Sequence, residues 1–127
     1  MAKKKPEVKL VSWGSYTQWN SESKDLPKLV KMTREIPCEL DVEFGYILNI
    51  KKAKNQKLQY CIYHPNIPDE AGVPMAPFAG EEYIRQNDWN FFIGDTVWLP
   101  LENKKGPWRI TLAIEGVLVA DETFQLV

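Results

Sequence analysis

Cys61 and His64 lie three positions apart in the stretch LQYCIYHP, residues 58–65, and are the chain's only histidine and one of its two cysteines. Such a pair could supply a thiolate nucleophile with its base, or half of a zinc site. On an extended strand, however, residues three apart point to opposite faces. Leu58, Tyr60, Ile62 and His64 then share one face, and Cys61 and Tyr63 the other. Zinc would need two further ligands, and Cys38 is the only other Cys or His. A thiol in apolar surroundings with no activating partner stays protonated and inert. The sequence therefore predicts that Cys61 packs, while His64, directly before Pro65, closes the strand and hydrogen-bonds a loop carbonyl. No catalytic residue, cofactor or metal ligand is assigned.

Other chemistry is thinner still. There is no G-x-S-x-G elbow, phosphate-binding glycine loop or dinucleotide fingerprint, and DEAG at 69–72 lacks the alternating oxygens of a calcium loop. A hydrolase-like carboxylate pair from Glu81, Glu82, Asp88 and Asp95 depends on spacing in three dimensions and requires two of them to converge in a concave site.

The elements that must position these residues are strands. ELDVEFGYILNI alternates with period two and puts Leu40, Val42, Phe44, Tyr46, Leu48 and Ile50 on one face, Asp41, Glu43 and Asn49 on the other. KKAKNQK, with Asn55, reads as a hairpin turn that returns the chain as LQYCIYH, paired antiparallel with the segment before it. GPWRITLAIEGVLVADETFQLV reads as a second hairpin turning at EG, with Trp108, Ile110, Leu112 and Ile114 inward on one strand and Leu118, Ala120, Phe124 and Leu126 on the other. EVKLVSWGSY, KLVKMTREI and WNFFIGDTVWL complete the strand candidates, and GEEYIRQND is given a turn or two of helix. About seven short strands predict an all-β, immunoglobulin-like antiparallel β-sandwich, with a closed barrel as the competing architecture.

Two connections stand out. Residues 17–27 are polar and expected to be mobile. Residues 64–80 hold four of the nine prolines and two of the seven glycines, which bars a central strand. In the segment that follows, Phe92 and Trp98 share one phase, Trp89 and Phe91 the other. A bulge at Gly94 would reconcile them; without one, a pair of aromatics is partly exposed beside acidic residues as a contact surface for a peptide or glycan.

A chain of 127 residues, 44% hydrophobic and 26% charged, suits a single globular domain that folds without metal or disulfide. Residues 1–6 are expected to form a basic tail before a domain over 7–127. Residues 1–34 carry eight Lys/Arg against three acids, or +5, and the remainder eight against fourteen, or −6. The net charge of −1 gives no general drive toward nucleic acid or membrane, and no apolar run reaches membrane-spanning length. The chain as written is expected in the cytosol, with Cys38 and Cys61 as free, buried thiols; export is the alternative if a signal peptide has been removed.

The motifs VKLVSWGSY, REIPCELDVEFGYIL, YHPNIPDEAG and GPWRITLAIEGVLVADETFQLV, in that order over about residues 7–127, resemble a bacterial family of single-domain proteins catalogued only as a domain of unknown function. The resemblance implies an immunoglobulin-like sandwich and no established activity. Many members of that family begin with an export signal, which this chain does not show.

The expected role is non-enzymatic binding of a protein or peptide, through the 64–80 loop and the acidic, aromatic segment after it. His64, Asp69, Glu70, Phe78, Glu81, Tyr83, Trp89 and Trp98 are the candidate recognition residues. Homodimerisation through edge strands is one form of this. A protease inhibitor presenting the 64–80 loop and a carboxylate-based hydrolase are the alternatives.

Overall fold

A computed structural model describes residues 5–17 and 26–127. Most of the polar connection expected over 17–27, and residues 1–4 of the basic tail, lie outside the described residues. The strands are β1 (Glu7–Tyr16), β2 (Leu29–Lys31), β3 (Glu35–Ile36), β4 (Glu43–Lys51), β5 (Lys57–Tyr63), β6 (Phe78–Tyr83), β7 (Asp88–Thr96), β8 (Gly106–Ile114) and β9 (Val117–Leu126). They form two sheets, β2-β1-β4-β7 and β3-β9-β8-β5-β6. Among the described residues the architecture is a sandwich of nine strands where about seven were expected. Two are very short, and β3 joins β9 in parallel, so the second sheet is mixed.

The core lies between the sheets. Phe44, Tyr46, Leu48 and Ile50 of β4 face Trp108, Ile110, Leu112 and Ile114 of β8 with Leu58 and Ile62 of β5, all essentially buried, as the period-two pattern dictates. Phe44 meets Trp108 edge to face at 5.4 Å between ring centroids. The Tyr46 hydroxyl donates to the Ile110 carbonyl at 2.8 Å, and burial raises the pKa of this phenol.

Several sequence expectations are corrected. β4 and β5 do not pair. The connection between them is an arch that carries the chain from one sheet to the other, with Lys52 and Asn55 in left-handed conformations and Ala53 fully buried beneath. Leu40 precedes β4 and is exposed. KLVKMTREI is split, with β2 in one sheet and β3 in the other. The residues given to a helix, GEEYIRQND, instead finish β6, pass through a loop and begin β7. The C-terminal hairpin turns at Glu115-Gly116 as read, both at positive φ. A register shift between Leu112 and Ala113 turns Leu118 out to solvent while leaving Phe124 and Leu126 inside.

The aromatic phase conflict is resolved without a bulge at Gly94, because β4 and β7 pair in unbroken register through it. Phe91 and Ile93 face the core. Phe92 is buried on the other side of the sheet, in a second cluster with Tyr16 and Ile47 that Leu26 helps to cover. The glycines make room for it. A Cβ on Gly45 would lie 2.1 Å from the Ile93 carbonyl oxygen, and one on Gly94 2.0 Å from that of Phe44 and 2.8 Å from the Phe92 ring. Tyr16 meets Phe92 edge on at 5.1 Å, and its hydroxyl shares a 2.8 Å hydrogen bond with Ser12. Next to this cluster the backbone of Thr17 donates to the Lys28 carbonyl while Lys28 donates to the Thr17 side chain, each at 2.9 Å.

Candidate functional site

The phase of β5 aims His64 inward at the end of the strand, 4.6 Å from the Phe78 ring and 5.9 Å from Trp108. Cys61 points to the outer face, so the two side chains do not converge. Both cysteines are free thiols; Cys38 is buried and Cys61 only partly so. His64 Nδ1 lies 2.6 Å from the Pro65 carbonyl and Nε2 2.9 Å from that of Ala76, twelve residues on. Each ring nitrogen is within hydrogen-bond reach of a carbonyl, and a neutral ring, with its single N–H, donates to one of the two. His64 thus fastens the far end of the 64–77 connection to the aromatic end of the core.

That connection is an ordered hairpin. Asp69 N–H donates to Val73 O at 2.8 Å and Met75 N–H to Ile67 O at 2.8 Å, with Pro68 and Pro74 bridged between them. The Asp69 carboxylate accepts from the N–H groups of Ala71 and Val73 at 2.9 and 3.0 Å, and Gly72 takes the positive φ of the turn. Ile67, 3% exposed, roots the hairpin in the core. Its far strand, Val73 to Pro77, is exposed at every residue. The signal was present in PDEAG, which has the residues of an Asp-capped turn.

Around the root lies an aromatic and charged cluster. Trp98 is 6.1 Å from both Phe78 and Trp108. Lys104, 1% exposed, holds its ammonium 4.4 Å from the Trp98 ring centre, 3.0 Å from the Pro100 carbonyl, and on the Asn103 side chain. Burial lowers its pKa. The Lys104 carbonyl accepts the Trp108 indole N–H at 2.8 Å. Asp95 faces inward at the end of β7. Burial pushes its carboxyl up to about 6, and Glu43 adds to this, while the Thr96 N–H and the charge of His64 oppose it. Glu43, 4% exposed, accepts from the Thr96 hydroxyl at 2.7 Å. Neither Lys104 nor Glu43 was found from sequence. Glu43 sits on the polar phase of its strand, the face that also carries Ile47 of the second cluster, and pairs in register with Tyr16 and Thr96.

The eight candidate residues separate into three places. His64, Asp69, Glu70, Phe78 and Trp98 gather at the hairpin end. Glu81 and Tyr83 lie on β6 beyond it, with Lys57 Nζ 3.6 Å from the Glu81 carboxylate and 5.9 Å from the centre of the Tyr83 ring. Trp89, half-buried against Phe91 at 5.0 Å, is at the opposite end of the sandwich. The four carboxylates considered for hydrolysis are dispersed. Asp88 accepts from Asn49 at one end of β7, Asp95 faces the core at the other, Glu81 points outward from the second sheet, and Glu82 lies on the inner side of that same edge strand.

Comparison with known proteins agrees with this architecture. The family model described as Domain of unknown function (DUF3859) matches residues 4–126. The crystal structure of an immunoglobulin-like protein from Pseudomonas aeruginosa superposes with a TM-score of 0.75 at 20% identity, covering 100% of both chains. Among curated proteins none matches.

Proposed function

We infer that this chain, which belongs to the DUF3859 family, is a non-enzymatic, protein- or peptide-binding immunoglobulin-like sandwich whose recognition element is the 64–77 hairpin with the adjoining Phe78 and Trp98. One observation carries this: the hairpin presents Val73, 57% exposed, and Met75, 37% exposed, on a backbone already fixed by Asp69, Ile67 and His64. A preformed apolar tip binds without the ordering cost a floppy loop incurs. Recognition also sits most often in loops held by a rigid scaffold.

Photo-crosslinking tests the reading. A photoreactive residue at position 73 of the full chain, in its native cell, is expected to capture a partner. Met75→Asp should abolish that product and His64→Ala should weaken it, while the same probe at Thr123, exposed on β9 of the sheet that carries the hairpin, should not give it. Identical products from positions 73 and 123 would sink the proposal.

A second reading has support from the run of exposed residues Val73 to Pro77, anchored on both sides, which is the form of segment a protease inhibitor offers to a cleft. Slow, inhibitory engagement of a protease, lost in Met75→Asp, would select it. Rapid cleavage there would end it.

A further inference from the structure

Each sheet of an open sandwich ends in strands whose outer backbone groups lack a neighbour, and these edges differ here in how they are closed. β3 has two residues and β2 three, too short to template another chain. On β7, pairing alternates so that Thr96 points its N–H away from β4, and the Asp95 carboxylate already accepts that N–H at 2.8 Å. An inward-turned acid at an edge is a known guard against strand addition.

β6 also turns an acid inward, Glu82, but among the described residues no side chain accepts from its outward N–H groups as Asp95 accepts from Thr96. Ile84 N–H bonds the Gln56 carbonyl at 2.9 Å, and alternation from that pair directs Glu82, Gly80 and Phe78 toward β5. The N–H and C=O groups of Ala79, Glu81 and Tyr83 therefore point outward. All three residues are exposed, and no described strand lies beyond them.

The charge at the middle position selects the occupant. If β6 paired antiparallel with β6 of a second copy, the register using all three outward positions would set Glu81 opposite Glu81, and like charges directly opposite are destabilising. The ion pair of Glu81 with Lys57 is exposed and 3.6 Å long, so it is weak and leaves the carboxylate able to meet another cation. Ala79 offers room beside it for a larger side chain, and Tyr83, 61% exposed, offers an aromatic surface.

We propose that β6 is a strand-addition site for an extended peptide segment that carries a Lys or Arg opposite Glu81 and bulky β-formers two residues to either side. The backbone of Ala79, Glu81 and Tyr83 supplies the hydrogen bonds, and Glu81 supplies the selection. This site is separate from the hairpin tip, and each stands or falls without the other.

The probe is the peptide acetyl-Thr-Val-Thr-Lys-Thr-Val-Thr-amide, with a counterpart bearing Glu in place of Lys, titrated to millimolar concentration into the full chain labelled for amide NMR. The lysine peptide is expected to shift the amides of Ala79, Glu81 and Tyr83 and to bind about tenfold tighter than the glutamate peptide. Glu81→Lys should invert that order. Ala79→Pro removes only an outward N–H, so it should abolish the shifts with the remaining spectrum intact. Equal binding of the two peptides, failure of the inversion, absence of shifts at these amides, or a dimer of the chain that Ala79→Pro dissociates would each overturn the proposal.

Discussion

The phenol of Tyr46 on β4 reaches across the core to the Ile110 carbonyl on β8, at 2.8 Å, and so joins the two sheets by a hydrogen bond at the centre of the sandwich. Tyr46→Phe keeps the ring and loses only this bond, at an expected cost of about 1 kcal/mol. Tyr46→Ala also empties the site and should cost about 3–5 kcal/mol. Urea unfolding at 25 °C measures both, and an unchanged midpoint for Tyr46→Phe would show that the bond contributes nothing.

Asp95 gives the fold a pH dependence of definite sign. Its carboxyl, raised from 3.8 to about 6 by burial, binds a proton more readily folded than unfolded. Its contribution is therefore fully present below about pH 4, declines as pH rises through 6, and leaves a penalty of up to about 3 kcal/mol above that. Asp95→Asn should flatten this part of the stability profile and raise Tm at pH 7.5 by about 3–8 °C. A lower Tm at that pH would contradict the burial argument.

Lys104 is a buried cation whose acceptors are all local. Lys104→Ala leaves the Pro100 carbonyl and the Trp98 face without a partner and should cost about 2–4 kcal/mol. Lys104→Met keeps the apolar stem and should recover more than half of that loss. Thermal unfolding of the two variants distinguishes packing from charge; equal losses would assign the whole effect to the ammonium.

What the sequence made legible follows from how far each signal reaches. The alternation of Phe44, Tyr46, Leu48 and Ile50 and that of Trp108 to Ile114 are properties of single strands, and both lie in the core as read. The separation of Cys61 from His64 is equally local. Which strands pair is not local. Five residues between Lys51 and Lys57 suit a hairpin or an arch, and only the burial of Ala53 against the core distinguishes them. The candidate site was legible in part, since the proline-rich connection was located but its internal hydrogen bonds around Asp69 were not foreseen. Glu43 and Lys104 escaped notice because a charged residue is buried by its neighbours' arrangement, which its own identity does not reveal.

The reciprocal bonds between Thr17 and Lys28 hold the two ends of the intervening chain together, whatever lies between them. Closing a loop whose ends are already joined grows more costly only with the logarithm of its length, by about 0.6 kcal/mol for each doubling. The segment between these residues is therefore the natural graft point of the molecule. A tag, a spectroscopic reporter or a second small domain spliced there would hang from a fixed neck.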